Sequence, residues 1–451
     1  MKKRVLAICL ATLTALSLAA CGAPKQEAAP AEEPAATTEE APAEEPAAEA
    51  SEDAKEQTTL RFVSWMTSGE DKAFLEKFMA ENPDIKVEVE AIDGTDYDKI
   101  LKTRLISGDA PDVFLIQPAQ YDKFVKEGYL KDVSDRPAMD LLALSDSLKG
   151  LYTINDTQYG FPVCTQGGPL PIFYNKKYFE KLNLEEPTTM EELWAVCDAI
   201  KADGVEPIVF GNQDTWTFEM FFRSRQFGDY LKDTPEWGLA LYNGDIPASE
   251  MFKKEFEVAE KMHTEAYIGQ ASLTMTYPQS VNYFIEGRAA MLPQGTWIPG
   301  LDEIKDANPD EFELGCFMTP VDLIDGKVYM TGSSDRSIVI SADTANEEAA
   351  NRLFDWFTKE ENLSEYLSSQ SLTTFLPIQY DVDPVLADYV AALSTDKYEI
   401  ILSQKAAMPA GFNTMMETGF QSILAGSPSS TELPKLDTEF EKIKSSVVVE
   451  E

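Results

Sequence analysis

Only one histidine, His263, occurs in this chain of 451 residues, and it sits in a polar helical stretch, Glu260-Lys261-Met262-His263. A Ser-His-Asp or Cys-His nucleophile needs a positioned imidazole and a His-rich zinc site needs several, so both are disfavoured. Neither a Gly-x-x-x-x-Gly-Lys-Ser/Thr loop nor a Gly-x-Gly-x-x-Gly turn is present to cradle phosphates. Asp93, Asp96 and Asp98 lie close together, but their spacing and the missing downstream glutamate fail the EF-hand loop, and helix N-capping accounts for them. No metal and no cofactor is expected. What remains are indole faces beside planar polar groups, at Trp65, Trp216 and Trp297. Indole faces cover C–H surfaces, while carboxylates and amides offer paired acceptors or donors. That is the chemistry of holding a ligand, with no catalytic residue assigned.

The elements that must position these groups are legible as periodicities. Leu60–Trp65 is a short apolar strand, followed by a helix with Phe74, Leu75, Phe78 and Met79 on one face that stops at Asn82-Pro83. Ile85, Val87 and Val89 alternate with charges as a strand does, Tyr97 to Leu105 returns to helical spacing, and Val113–Ile116 reads as a strand covered on both faces. Strand, helix, strand, helix, strand predicts a doubly wound α/β lobe with ligands near the carboxyl ends of its strands. Trp65, and Gln117 with Gln120, follow two of these strands. The pattern recurs: Asn175–Leu182 and a helix after Thr188 are expected, the latter opened by a capping box in Thr188-Thr189-Met190-Glu191. Strands are expected at Ile208–Phe210, Ala289–Leu292 and Ser337–Ile340, and a helix opened by Thr344 with Glu347. Trp194 and Trp356 fall at helical spacing among apolar residues and are expected in the core, as is Cys197.

The N-terminus is of another kind. Met1–Arg4 is basic, Val5–Ala20 is apolar, and the run ends Leu18-Ala19-Ala20-Cys21-Gly22, the layout of an export signal. It resembles the lipobox of bacterial lipoproteins, which implies that residues 1–20 are a signal peptide and that Cys21 is lipidated. From Cys21 to Gln57 the chain is a spacer rich in Ala, Glu and Pro, without aromatic or β-branched aliphatic residues, and too poor in apolar surface to fold. Acidic residues outnumber basic ones 78 to 38, a net charge of −40, which disfavours nucleic acid or an anionic membrane surface as partner. The membrane would be met through the lipid anchor only. With Cys9 in the leader, Cys164, Cys197 and Cys316 remain, which is no disulfide framework.

Several segments together resemble the extracellular solute-binding proteins of carbohydrate ABC importers, the maltose-binding-like family. They are Ser107-Gly108-Asp109-Ala110-Pro111-Asp112-Val113; Tyr174-Asn175-Lys176-Lys177-Tyr178-Phe179 with Pro187-Thr188 and Glu191-Glu192-Leu193; Phe284 to Met291 followed by Gly295-Thr296-Trp297; and Gly332–Ser341 leading into Glu347-Glu348-Ala349-Ala350. The resemblance implies two α/β lobes hinged around a cleft, in a periplasmic-binding-protein-like fold, delivering a sugar to ABC permease subunits. Fitted to this chain, the first lobe is 59–163 with 333–373 and the second 168–330 with 377–451. Crossings are expected near Cys164–Gly168, Gly332–Arg336 and Thr374–Pro377. A monomer outside the cytoplasmic membrane is expected.

On this resemblance Trp297 matches a sugar-stacking position, Asp214 and Trp216 come over as an acid–aromatic pair, and Gln117 and Gln120 stand where the family often places charged groups. Gln166 lies near the first crossing. Asp335, beside Arg336, lies at another and reads equally as a ligand, a hinge or an ion-pair residue. Asp112 is expected to be a strand-entry residue. Two alternatives stay open: the same fold with a peptide, polyamine or anion as ligand, and a secreted glycoside hydrolase, which would need a carboxylate pair roughly 5 to 9.5 Å apart.

Overall fold

A computed structural model describes residues 57–67, 69–222, 228–401, 406–407, 411–446 and 448–449. The expected leader, Cys21 and nearly all of the spacer lie outside the described residues. The fold opens with β1 (Thr58–Ser64), α1 (Glu70–Glu81), β2 (Ile85–Ala91), α2 (Gly94–Ser107), β3 (Val113–Ile116) and α3 (Pro118–Lys126). It continues with β4 (Phe161–Gly167), β5 (Pro171–Asn175), α4 (Lys176–Leu182), α5 (Met190–Ala202), β6 (Glu206–Ile208), α6 (Tyr277–Ile285), β7 (Ala289–Pro293) and β8 (Leu314–Met318). Then come β9 (Val328–Ile340), α7 (Glu347–Phe357), α8 (Glu360–Ser369), β10 (Tyr398–Ile401), α9 (Phe412–Leu424) and α10 (Ser429–Ile443).

Two sheets carry these elements. In the first, the strand order is β10-β9-β3-β1-β2, with β4 also paired to β9; in the second it is β8-β5-β7-β6. β1 pairs in parallel with both β2 and β3, as helical crossovers require, and all four residues of β3 are buried. β9 runs antiparallel to β3, so the sheet is mixed. One apolar core collects residues between Leu60 and Cys164, the end of β9, and Ala349 to Ile378. The others draw on residues from Ile172 to Phe317 and, beyond β9, from Leu386 to Phe440. The protein is thus a two-lobed α/β fold.

β9 belongs to both lobes. Its start pairs with β10, its end with β3, and residues Gly332–Ile338 pair with β4 through register shifts on either side of Arg336. The segment at 373–375 joins this ribbon, since Thr165 N–H donates to Thr373 O at 3.0 Å. A Cβ on Gly167 would come within 2.7 Å of the Phe375 ring and 2.9 Å of Gly332 Cα, so only glycine lets these passages lie so close. Leu376 and Ile378 still pack in the first core, one step beyond the expected exit at Pro377.

Local caps correct two readings. Thr189, rather than Thr188, caps α5, because Glu192 reaches back to bond the N–H groups of both Thr188 and Thr189. Thr344 does not open α7; Asn346 is its N-cap, and the Thr344 hydroxyl donates to Asp112 Oδ1 at 2.5 Å. Asp112 Oδ2 accepts the Arg61 N–H at 2.8 Å, so this carboxylate ties strand to loop.

Candidate functional site

Strands β6 and β7 are parallel neighbours in the second lobe, and their C-terminal ends carry loops 209–216 and 294–297. Trp216 and Trp297 on these loops meet with ring centroids 6.1 Å apart. A third ring, Tyr277 at the start of α6, lies 5.1 Å from Trp216 and accepts the indole N–H of Trp297 at 2.8 Å. Burial pushes the Tyr277 phenol above its ordinary range, so it stays a neutral hydroxyl. Asp214 fixes this residue from below: its Oδ2 accepts the Tyr277 N–H at 2.6 Å. Two glycines make the cluster possible. A Cβ on Gly211 would lie 2.6 Å from Thr276 O and Tyr277 Cα, and one on Gly295 would lie 2.0 Å from the Trp297 ring.

Polar groups sit in the same loops. Gln294 and Asn212 are fully buried and Thr296 nearly so. Both amide atoms of Gln294, the Thr296 hydroxyl and the Asn212 amide nitrogen have no hydrogen-bond partner among the described residues. An unpaired buried polar group costs about 1–3 kcal/mol, which makes this concentration uncommon.

In the first lobe, Trp65 follows β1 and packs edge-on against Tyr97, 5.1 Å away, whose hydroxyl donates to Leu115 O at 2.5 Å. Trp297 packs against the first core as well as one of the second lobe's, so its ring touches both lobes. The structure therefore joins Trp216 and Trp297 in one cluster and places Trp65 on the other lobe.

The expected polar residues fare differently. Gln120 is buried, its Oε1 accepts the Gln117 N–H at 2.9 Å, and its Nε2 donates to Asp98, so its amide caps α3. Gln117 is exposed at the N-cap of the same helix. Gln166 lies on β4, its backbone paired with Ser333. Asp335 Oδ2 lies 3.4 Å from Arg336 Nε and accepts from Cys164 Sγ at 3.7 Å, the ion-pair alternative of its reading. Sequence reasoning missed Tyr277 and Gln294. The Thr276-Tyr277-Pro278-Gln279 capping box was the available signal for the first, since it fixes where α6 begins. Trp194 and Trp356 pack on the cores, Trp194 stacked on Tyr267 and Trp356 against Phe74 and Phe78.

The family model described as bacterial extracellular solute-binding protein matches residues 63–363. A multiple sugar-binding protein of Streptococcus mutans is 25% identical over 346 residues, covering 74% of this chain and 78% of the relative. A maltotriose-binding protein of Pyrococcus abyssi is 26% identical over 306 residues, 66% of this chain and 61% of that protein. Among solved structures, the solute-binding protein RafE in complex with raffinose superposes with a TM-score of 0.71 at 22% identity, over 86% of this chain and all of RafE. A Bacillus licheniformis sugar transporter protein in complex with stachyose gives 0.68 at 21% identity, over 86% of this chain and all of the other.

Proposed function

Because the chain belongs to the bacterial extracellular solute-binding proteins, in the family that serves carbohydrate ABC importers, we propose that it captures an oligosaccharide between its lobes and delivers it to the permease of such an importer. The family places the protein outside the cytoplasm, and among the described residues no helix is long and apolar enough to cross a membrane. The observation that carries the reading is the Trp216–Tyr277–Trp297 cluster at the ends of β6 and β7. Aromatic faces set at an angle in this way cover the C–H faces of pyranose rings, and Trp65 supplies a further face from the opposite lobe.

Unpartnered polar groups on Gln294, Thr296 and Asn212 lie in the same loops. A sugar hydroxyl both donates and accepts, so it satisfies amides and hydroxyls without requiring a formal charge. Asp214, Gln117 and Gln166 complete the proposed contacts, with Asp335 outside them. The two lobes are read as 59–163 with 333–373 and as 168–330 with 377–451, closing as the ribbon of β4 and β9 bends. Cys21 would hold the body near the membrane by its lipid, through the spacer, as a monomer.

The relatives are binding proteins, and the proposal is of binding without turnover. Native mass spectrometry of the purified body against raffinose, stachyose and maltotriose should show a one-to-one complex, with the sugar recovered intact. Recovery of shortened sugars would replace this reading with hydrolysis.

A further inference from the structure

The Arg336 side chain is only 3% exposed, an unusual position for a cation that is costly to remove from water without partners. Its partners lie on several elements. One terminal nitrogen, Nη1, donates to the Tyr366 hydroxyl at 3.1 Å and to Gln370 Oε1 at 3.2 Å. Nε faces Asp335 Oδ2 at 3.4 Å. The Tyr366 hydroxyl in turn donates to Asp71 Oδ1, at 2.7 Å, at the start of α1. The guanidinium carbon stands 5.8 Å from the centroid of the Trp65 ring, within cation–π range.

Position gives this network its meaning. Arg336 sits between the two register shifts of β9, where that strand passes from one lobe to the other. Gln370, which receives its bond, turns the chain into Ser371, and this turn lies against Gly300: a Cβ there would meet Gln370 O at 3.1 Å and Ser371 Oγ at 3.5 Å. Gly300 closes the short helix Ile298–Gly300 that directly follows Trp297. One planar cation therefore backs the Trp65 ring and braces the turn on which the Trp297 loop rests.

We propose that Arg336 is a positioning residue for the ligand site, orienting Trp65 from behind and holding the turn at Gln370–Ser371 so that the aromatic faces of the two lobes stand at a fixed separation. It makes no ligand contact itself. A lysine could supply the charge but not the planar fork that meets a ring, a hydroxyl and an amide together. The binding readout of this inference rests on the proposed function; the spectroscopic one does not.

The test uses Arg336→Met and Arg336→Lys, with Leu105→Ala at the far end of α2 as a destabilised control in the same core. The contribution of Trp65 to near-ultraviolet circular dichroism is isolated by subtracting spectra of Trp65→Phe made in each background. The expected result is a Trp65 band largely lost in Arg336→Met, reduced in Arg336→Lys and intact in Leu105→Ala. For whichever of raffinose, stachyose or maltotriose the wild type binds, affinity should fall at least tenfold in Arg336→Met and less than twofold in the control. Should Arg336→Met fail to fold, Arg336→Lys decides, with at least a threefold loss expected. An unchanged Trp65 band in the folded arginine variants overturns the inference, as does a loss of affinity equal to that of the control. If no sugar binds even the wild type, the band still decides about Arg336, and the failure belongs to the sugar reading.

Discussion

The indole N–H of Trp297 donates to the hydroxyl of Tyr277 across 2.8 Å, joining the loop after β7 to the first turn of α6. This bond holds an indole that touches the cores of both lobes. Tyr277→Phe keeps the ring and removes the acceptor. It should lower stability by about 0.5–1.5 kcal/mol, the usual net value of one hydrogen bond, and weaken sugar binding a few-fold. Urea unfolding and calorimetric titration check the two effects, and an unchanged affinity would detach Tyr277 from the site.

Gly295 is required by the ring that folds over it. Its added Cβ would lie 2.0 Å from the Trp297 ring, beside a backbone that Gln294 N–H ties to Pro171 O at 3.3 Å. Gly295→Ala should therefore displace the indole and cost at least tenfold in sugar affinity, with the far-ultraviolet spectrum retained. Wild-type binding by this variant would show that the ring's position is not needed.

Burial raises the Asp71 carboxyl above its ordinary range, against the opposing pull of Ser64, Arg336 and Tyr366. The folded protein thus holds this proton more tightly than the unfolded chain does. The stability Asp71 contributes is complete below the ordinary carboxylate pKa and declines as pH rises through the raised value. Asp71→Asn, which imitates the protonated form, should melt higher than wild type near neutral pH, and the gap should shrink as the solution is acidified through the carboxylate range. A gap that is constant with pH contradicts the assignment.

Much of the fold was legible because burial imposes period. The apolar run Val113–Ile116 coincides with β3, and the alternation from Ile85 to Val89 falls within β2. The middle of β9 was missed because residues from Thr331 to Arg336 are small or polar and present no alternation; pairing with β10 at Thr331 and with β4 beyond it makes them a strand. Trp216 and Trp297 were readable from their turns, but their meeting depends on strands paired across more than eighty residues of chain. The capping bond of Gln120 was not legible, because a glutamine after a strand looks the same whether it faces a ligand or caps the next helix. Tyr277 was signalled only by the capping box that opens α6, and the bond that places it comes from Asp214, far away in sequence.

Cys21 precedes the described residues, and its role is tested in cells. Cys21→Ala should move the protein from the membrane fraction to the soluble exported fraction, because the lipid is the proposed tether. Continued membrane retention of this variant would remove the anchor from the account while leaving the binding site untouched.

The central claim is that the Trp216–Tyr277–Trp297 cluster captures sugar, and calorimetric titration of the wild type and Trp297→Ala with raffinose, stachyose and maltotriose tests it most directly. The account predicts saturable binding by the wild type to at least one of them, and affinity at least tenfold weaker in the variant, about 1.4 kcal/mol or more. Equal affinities for the two proteins, or no binding of any of these sugars, would contradict it.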